Sequence, residues 1–141
     1  MWNKRFLGLA SYVASWSKDP STKVGAVIAD CNKRIVSLGF NGFARTINDD
    51  ERLNDRAVKY AMVLHAEENA ILFAGRNLSD CSLYVSGLPP CSHCASLIVQ
   101  CGIKKVYAWK QEIPERWQEN IKLTQEIFAE AGVTLEFIEK D

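Results

Sequence analysis

The sequence has no excess of positive charge, because 17 lysine and arginine residues balance 17 aspartate and glutamate residues and the formal net charge is zero. Proteins that grip a polynucleotide usually carry a basic excess, since neutralised phosphates supply most of their affinity. The composition therefore argues against a polynucleotide partner and favours a small substrate with few phosphates.

Long apolar runs are also missing, and no segment is both long and apolar enough to cross a bilayer. The stretch from Met1 to Leu9 has neither a continuous apolar run nor a small-residue cleavage site, so we expect no secretion signal and no membrane partner. The five cysteines are an odd number that does not suit a disulfide framework. A reducing, cytoplasmic location is therefore expected.

Repeats, low-complexity tracts and linkers are absent as well. A chain of 141 residues with 48% hydrophobic content can form a packed core without disulfide bonds. We expect residues 1–141 to form a single domain.

Hydrophobic periodicity predicts an α/β fold in which a mixed five-stranded sheet is flanked by helices. A succession of strand, helix and strand implies parallel pairing, which we expect for the last three strands. The predicted helices cover residues 2–17, 63–75, 91–100 and 114–131, and the predicted strands cover 24–29, 34–39, 81–86, 104–109 and 133–138.

Residues 44–60 are the least regular part of the chain and carry a run of charged and polar residues at 48–52. Such a run is usually a solvated loop. Loops of this length in compact domains are also often binding segments. Two interpretations stay open: a solvated loop, or a segment that covers the mouth of a site or contacts another subunit.

Two motifs carry chemistry, His65-Ala66-Glu67 and the Pro-Cys-x-x-Cys segment at 90–94. One imidazole and two thiolates, from His65, Cys91 and Cys94, suit zinc and leave its fourth tetrahedral position open for water. Zinc lowers the pKa of such a water to near neutrality. Glu67 is close enough to shuttle protons without being a ligand. This pairing of motifs is the signature of zinc deaminases.

Other interpretations of the Cys-x-x-Cys segment are a redox pair or a closed structural zinc site. A redox pair does not explain the preceding proline or the distant His-x-Glu, and a closed site needs a fourth ligand. His93 lies between the two cysteines, where it is badly placed to bind the same ion, and we expect it to be an exposed helix residue. The remaining cysteines are interpreted as small packing residues: Cys31, Cys81 and Cys101.

The local geometry of two further residues can also be predicted. His65 and Glu67 are expected in the first turn of a helix, about 200° apart around its axis, so that only one of them holds the metal. Asn41 follows a predicted strand. Either it belongs to a turn in which Gly42 adopts positive φ, or its amide presents a donor and an acceptor to a sugar hydroxyl.

On these motifs the chain resembles the deoxycytidylate (dCMP) deaminase family, within the cytidine deaminase-like zinc-dependent superfamily, over nearly its whole length. The His-Ala-Glu and Pro-Cys-x-x-Cys motifs are shared across the superfamily, whereas the pairing of Lys-Asp-Pro-Ser-x-x-Val-Gly-Ala with Gly-Phe-Asn-Gly is more specific. The resemblance implies a three-layer α-β-α cytidine deaminase-like fold. The segments that carry it are 17–26, 39–43, 65–71, 83–85, 90–95 and 100–106.

The resemblance implies hydrolytic deamination of dCMP to dUMP and ammonia, which supplies thymidylate synthesis. It also implies a homo-oligomer. By the same resemblance, zinc is held by His65, Cys91 and Cys94, Glu67 is the proton shuttle, Asn41 binds deoxyribose and the Ala66 backbone meets the pyrimidine edge.

The 5′-phosphate is assigned to Lys23 and Ser21, with Lys18 and Arg45 as alternates. The family's Gly-Tyr-Asn-Gly-x-Pro-x-Gly pattern, where regulated members bind dCTP and dTTP, loses its proline at Ala44 and its last glycine at position 46. This departure weighs against control by those effectors.

Two other hypotheses for the function stay open. The chain could be a deaminase of another nucleotide, nucleoside or tRNA base, or it could be a non-catalytic zinc module, against which the retained Glu67 argues.

Overall fold

The middle layer of the protein is one five-stranded sheet, seen in a computed structural model that describes every residue from 1 to 141. The strand order is β2-β1-β3-β4-β5. β1 is antiparallel to both of its neighbours, whereas β3, β4 and β5 are parallel, so the predicted mixed sheet is confirmed. The strands are β1 Gly25–Asp30, β2 Ile35–Phe40, β3 Cys81–Val85, β4 Lys105–Trp109 and β5 Thr134–Ile138.

Helices cover both faces of the sheet. Gly75 and Gly132 end α3 and α5 in the left-handed conformation, with φ of 60° and 74°, as the sequence indicated. The helices are α1 Trp2–Ala14, α2 Arg56–Met62, α3 Ala66–Ala74, α4 Ser92–Gln100 and α5 Glu115–Ala131.

Alternating side chains of the strands divide the core between the two faces. On β1, Val27 packs with Phe6 of α1, while Ile28 packs with the side chains of α3, α4 and α5 on the other face. The three-layer α-β-α fold is therefore confirmed. None of its helices combines the length and apolar character that crossing a membrane requires.

The segment 44–60 is more regular than expected. It contains a 3-10 turn, Glu51–Asn54, followed by most of α2. Asp50 and Asp55 begin these two elements by accepting hydrogen bonds from the backbone amides of Arg52 and Val58. Asp50, within the charge run, and Asp55, which follows it, therefore act as N-caps, which the interpretation as a solvated loop did not include.

α1 ends three residues earlier than predicted. The Ser15 hydroxyl donates to the Tyr12 carbonyl, and Ser17 turns inward to donate to the backbone carbonyl of Asn41 at 2.8 Å. These side-chain bonds compete with the continuation of the helix.

The interpretation of the three remaining cysteines as packing residues holds for one of them and fails for another. Cys81 is buried and Cys101 is partly buried, but Cys31 is exposed in the turn between β1 and β2.

Candidate metal centre and active site

The first turns of α3 and α4 meet on one side of the sheet and bring the two sequence motifs together. His65 is the N-cap of α3, and its backbone amide donates to the Glu68 carboxylate at 2.9 Å. A two-residue bridge between Gly42 and Leu64 fixes the approach to His65. Paired hydrogen bonds of 3.1 and 2.8 Å join those two backbones, so the loop after β2 lies beside the metal ligand.

The predicted angle of about 200° between His65 and Glu67 is wrong, because only Glu67 lies within the helix. His65 has extended dihedral angles, φ −76° and ψ 157°, as N-cap residues commonly have. Helical geometry therefore does not separate the two side chains, and both line the same cavity.

Cys91 is the N-cap of α4, and its sulfur accepts a long hydrogen bond, 3.5 Å, from the backbone amide of Cys94. A helix amino end favours thiolates through its partial positive charge. Side chains of α5 form hydrogen bonds with the backbone around Cys91. The Thr124 hydroxyl, fully buried, donates to the Pro90 carbonyl at 2.8 Å, and Asn120 accepts from the Ser92 amide at 2.9 Å.

The three expected ligands converge. Nδ1 of His65 lies 3.2 Å from Sγ of Cys94 and 3.5 Å from Sγ of Cys91, and all three ligand atoms lie within 4.8 Å of one another. In a tetrahedral zinc site a nitrogen and a sulfur ligand are about 3.6 Å apart. The donor set and its spacing therefore fit zinc with Nδ1 as the histidine ligand. His93 is exposed on α4, as predicted, and its Nε2 lies 3.8 Å from Glu68.

The electrostatics of this group favour a cation at its centre. Hydrogen bonds from Cys94 and His65 lower the pKa of the Cys91 thiol to about 4. The same hydrogen bond to Cys91, together with its negative charge, raises the pKa of His65 to about 9. The hydrogen bond to Cys91 and burial raise the pKa of Cys94. A potential that retains a proton on the imidazole also attracts a metal ion.

Glu67 is buried at the edge of this group, with 5% of its surface exposed. Burial raises the pKa of its carboxyl to about 7. A carboxyl that is partly protonated near neutral pH can both accept and release a proton, which matches the role expected from the sequence.

Two of the three expected metal ligands, His65 and Cys91, line a cavity of about 180 Å³. Residues of α2, α3 and α5 form its walls, together with the loops before β1, after β2 and after β3. Besides His65 and Cys91 the lining comprises Asp19, Thr22, Val24, Asn41, Lys59, Tyr60, Val63, Ala66, Glu67, Leu88, Pro89, Arg116, Trp117 and Ile121.

Asn41 forms part of the cavity wall, but its amide is already engaged by the protein. Its Oδ1 accepts from the Val24 amide at 2.9 Å, and its Nδ2 donates to the Thr22 carbonyl at 2.8 Å and to Asp19 at 3.4 Å. Gly42 has no positive φ, so the alternative interpretation as a left-handed turn is wrong. One lone pair of Oδ1 is left for a ligand.

A second cavity, of about 350 Å³ and mostly polar lining, adjoins the first and shares Thr22, Lys59, Tyr60 and Arg116 with it. Its lining holds three cationic side chains, Arg56, Lys59 and Arg116, and no carboxylate.

The predicted phosphate contacts are not brought together. Ser21 lines the second cavity, whereas Lys23, Lys18 and Arg45 are exposed and line neither cavity.

Sequence reasoning missed Lys59 and Arg116. Lys59 lies at the end of the segment 44–60, and its place in the cavity wall supports the interpretation that this segment covers the mouth of the site. Arg116 lies in the first turn of α5, a helix that the sequence predicted without assigning any of its residues to the site. Neither position carries a local signal, because both cavities are formed by segments distant in sequence.

This fold and this site define a zinc-dependent deaminase. The family model described as the cytidine and deoxycytidylate deaminase zinc-binding region matches residues 1–110. The chain belongs to that family.

Two relatives illustrate the similarity. A deaminase of Aliivibrio fischeri, named only by its position in the luxG 3′ region, is 49% identical over 99% of this chain and 95% of its own. The deoxycytidylate deaminase of Mus musculus is 38% identical over 94% of this chain and 77% of its own. Among solved structures, the dCMP deaminase of cyanophage S-TIM5 in its apo form has a TM-score of 0.75 at 22% identity, covering 96% of both chains, which supports the fold.

Proposed function

We propose that this chain, as one domain over residues 1–141, catalyses hydrolytic deamination of dCMP to dUMP and ammonia. The observation that carries the proposal is the convergence of His65, Cys91 and Cys94 beside a cavity that Glu67 also lines, in a member of this family. The curated deoxycytidylate deaminases of mouse and human, 38% and 37% identical over nearly all of this chain, favour dCMP among the family's substrates.

His65, Cys91 and Cys94 are proposed to hold the zinc ion. When zinc is bound there, it supplies an acidified water as nucleophile. Glu67 is not a ligand in this assignment. Its buried carboxyl stands beside the open side of the group, where it is placed to exchange protons with water and with the substrate.

Protons must move because the reaction adds water across the C4=N3 bond of cytosine and releases the exocyclic amine as ammonia. We assign both transfers to Glu67. Its carboxylate accepts a proton of the attacking water and delivers it to N3. It then accepts the proton of the new C4 hydroxyl and delivers it to the exocyclic amine, so that the C4–N bond breaks, ammonia leaves and C4 becomes the carbonyl of dUMP. The pKa of about 7 lets one side chain act as base and then as acid.

The base and the sugar are assigned to two residues that line the cavity, Ala66 and Asn41. The Ala66 backbone, at the amino end of α3 and next to Glu67, is proposed to meet the pyrimidine edge. Asn41 is proposed to accept a hydrogen bond from a deoxyribose hydroxyl through the remaining lone pair of Oδ1, since both of its amide protons are used within the protein.

The 5′-phosphate is proposed to occupy the second cavity. Arg56 and Arg116 line it without any ion-pair partner, and Ser21 lines it as well. Guanidinium groups match the geometry of phosphate oxygens. This assignment keeps Ser21 and replaces Lys23 by the two arginines.

A panel of cytosine, adenine and guanine nucleotides, nucleosides and a tRNA anticodon stem-loop, followed by ammonia release, tests the proposal. We expect kcat/KM for dCMP to exceed that for deoxycytidine by at least tenfold. Arg116→Ala should reduce this preference, whereas the matched control Arg34→Ala, in an exposed position after the β1–β2 turn, should leave it unchanged. A rate that does not depend on the phosphate would overturn the nucleotide assignment.

We further propose a homo-oligomer in a reducing, cytoplasmic compartment, with no control by dCTP or dTTP. The exposed ring of Trp16 contacts the exposed rings of Tyr12 and Phe40 edge to face, and the three offer an apolar surface for association. Light scattering coupled to size exclusion gives the oligomeric state. Activity measured with and without dCTP and dTTP tests the expected absence of effector control.

A further inference from the structure

Lys59 forms a buried ion pair with Asp19 in the wall of the cavity. Its ammonium lies 2.9 Å from the Asp19 carboxylate, whose side chain is fully buried, while the lysine side chain is 11% exposed. The same ammonium donates to the Ser21 hydroxyl at 2.9 Å. Charged side chains are almost never buried to this degree without a partner, so the pair fixes the position of both residues.

Asp19 in turn organises the loop that leads into β1. One of its carboxylate oxygens accepts from the Ser21 and Thr22 amides at 2.9 and 3.0 Å, and the other faces Nδ2 of Asn41 at 3.4 Å. The Thr22 carbonyl accepts from the same Nδ2. The amide protons of Asn41 are therefore accepted by the Asp19 carboxylate itself and by the carbonyl of Thr22, a residue whose amide Asp19 binds.

These contacts connect α2 with the loops before β1 and after β2. Lys59 lies immediately before the segment that delivers His65, and Asn41 lies after β2, beside the Gly42–Leu64 bridge. A single chain of contacts therefore runs from Lys59 to Asp19 to Asn41, all three of which line the cavity, and includes none of the metal ligands.

We propose that Lys59 is a positioning residue for substrate: through Asp19 it holds the Asn41 amide with its acceptor toward the cavity. This inference rests on the proposed function for the identity of the sugar, and it adds a role for α2 that the family motifs do not include. If Lys59 acts only through this chain, its loss weakens binding of any ligand that carries the sugar, with or without a phosphate.

The test is Lys59→Met, which keeps the length of the side chain and removes its charge. We expect kcat/KM to fall at least tenfold, and by similar factors for dCMP and deoxycytidine, through KM rather than kcat, with zinc content unchanged. Lys59→Arg, which retains a cation for Asp19, should recover most of the loss. The matched control is Lys110→Met, which removes an exposed surface pair with Glu139 and should change nothing.

Two outcomes would overturn the proposal. A loss for dCMP alone would make Lys59 a direct phosphate contact instead. The double variant Lys59→Met/Asp19→Asn removes both charges and should restore much of the thermal stability without restoring KM. Recovery of both quantities together would show that the pair contributes stability and nothing more.

Failure of this inference can be separated from failure of the proposed function. The side-chain amide signals of Asn41, assigned in a nuclear magnetic resonance spectrum by their loss in Asn41→Asp, should shift in Lys59→Met and remain in place in Lys110→Met. If the wild-type protein does not deaminate dCMP while these signals shift, the substrate assignment fails and the positioning role stands. If the wild-type protein deaminates dCMP but the Asn41 signals do not shift in Lys59→Met, the positioning role is refuted.

Discussion

Nδ1 of His65 lies 3.2 Å from Sγ of Cys94, across the gap between the first turns of α3 and α4. The two residues belong to different helices and are 29 positions apart in the chain. A metal ion that both side chains bind links these helices, and its binding free energy becomes part of the free energy of folding.

Substitution of His65 by alanine should therefore remove zinc and lower the melting temperature. Metal analysis after dialysis is expected to give close to one zinc per chain for the wild type and well below that for His65→Ala, and a chelator should destabilise only the wild type. His93→Ala is the control, because that exposed imidazole should not affect zinc content. Equal zinc content in His65→Ala and wild type would refute the ligand assignment.

Glu67→Gln should keep zinc and lose activity. The amide fills the same buried space but cannot carry a proton, and general acid–base catalysis contributes about 10²–10⁴-fold to rates. We expect kcat to fall by at least about a hundredfold on that basis. Glu126→Gln, a change at an exposed position of α5, serves as control. Activity within threefold of the wild type in Glu67→Gln would exclude the proton-shuttle role.

The metal centre could be predicted from the sequence because its ligands lie in two short sequence motifs. Each half of the site lies within a few residues of a helix start. Once the two helix starts are predicted, the positions of His65, Cys91 and Cys94 in the sequence place all three ligands at them. The strands and helices were predictable for a similar reason, since alternation and helical periodicity report which faces are buried.

The rest of the cavity wall could not be predicted, because it depends on contacts between distant segments. Lys59 and Asp19 are 40 positions apart, and no pattern distinguishes a lysine that will be buried against a carboxylate from one that will be solvated. Thr124 lies in a predicted helix, but its hydrogen bond to Pro90 depends on how α5 packs on the metal-binding segment. Tertiary packing alone gives these side chains their roles.

Gly39 on β2 packs directly against α3, the helix that begins at the metal site. A Cβ at this position would lie 2.5 Å from the Ala70 amide nitrogen and would also collide with the Ala66 carbonyl oxygen. Both atoms are backbone, so Gly39→Ala must displace α3, at a cost of about 1–3 kcal/mol for overpacking. We predict a lower urea midpoint together with reduced activity. Gly8→Ala is the control, since a Cβ there meets nothing within 4 Å; unchanged stability in Gly39→Ala would show that the two elements separate freely.

Thr46 adopts a left-handed backbone conformation, with φ of 72°. This conformation is strained for a β-branched residue, and the related family pattern has glycine at this position. Thr46→Gly should relieve about 1–2 kcal/mol of strain, partly offset by the greater flexibility of glycine in the unfolded chain. We expect a higher urea midpoint with unchanged kcat/KM, because Thr46 is exposed and lines neither cavity. A lower midpoint would mean that the threonine side chain stabilises this loop.

Asp19 should make the protein sensitive to acid. Burial opposes its ionisation, but the Lys59 ammonium and the amides of Thr22 and Ser21 outweigh burial and lower the pKa of the carboxyl. In the unfolded chain the pKa returns to about 3.9. Since the unfolded state then binds more protons, this stabilisation is present above the unfolded pKa and is lost as pH falls through the folded value. We predict that the urea midpoint of zinc-free wild type falls more steeply than that of zinc-free Asp19→Asn between about pH 5 and about pH 3. Parallel profiles would show that Asp19 has the same proton affinity in both states, and the ion pair would then contribute no pH-dependent stability.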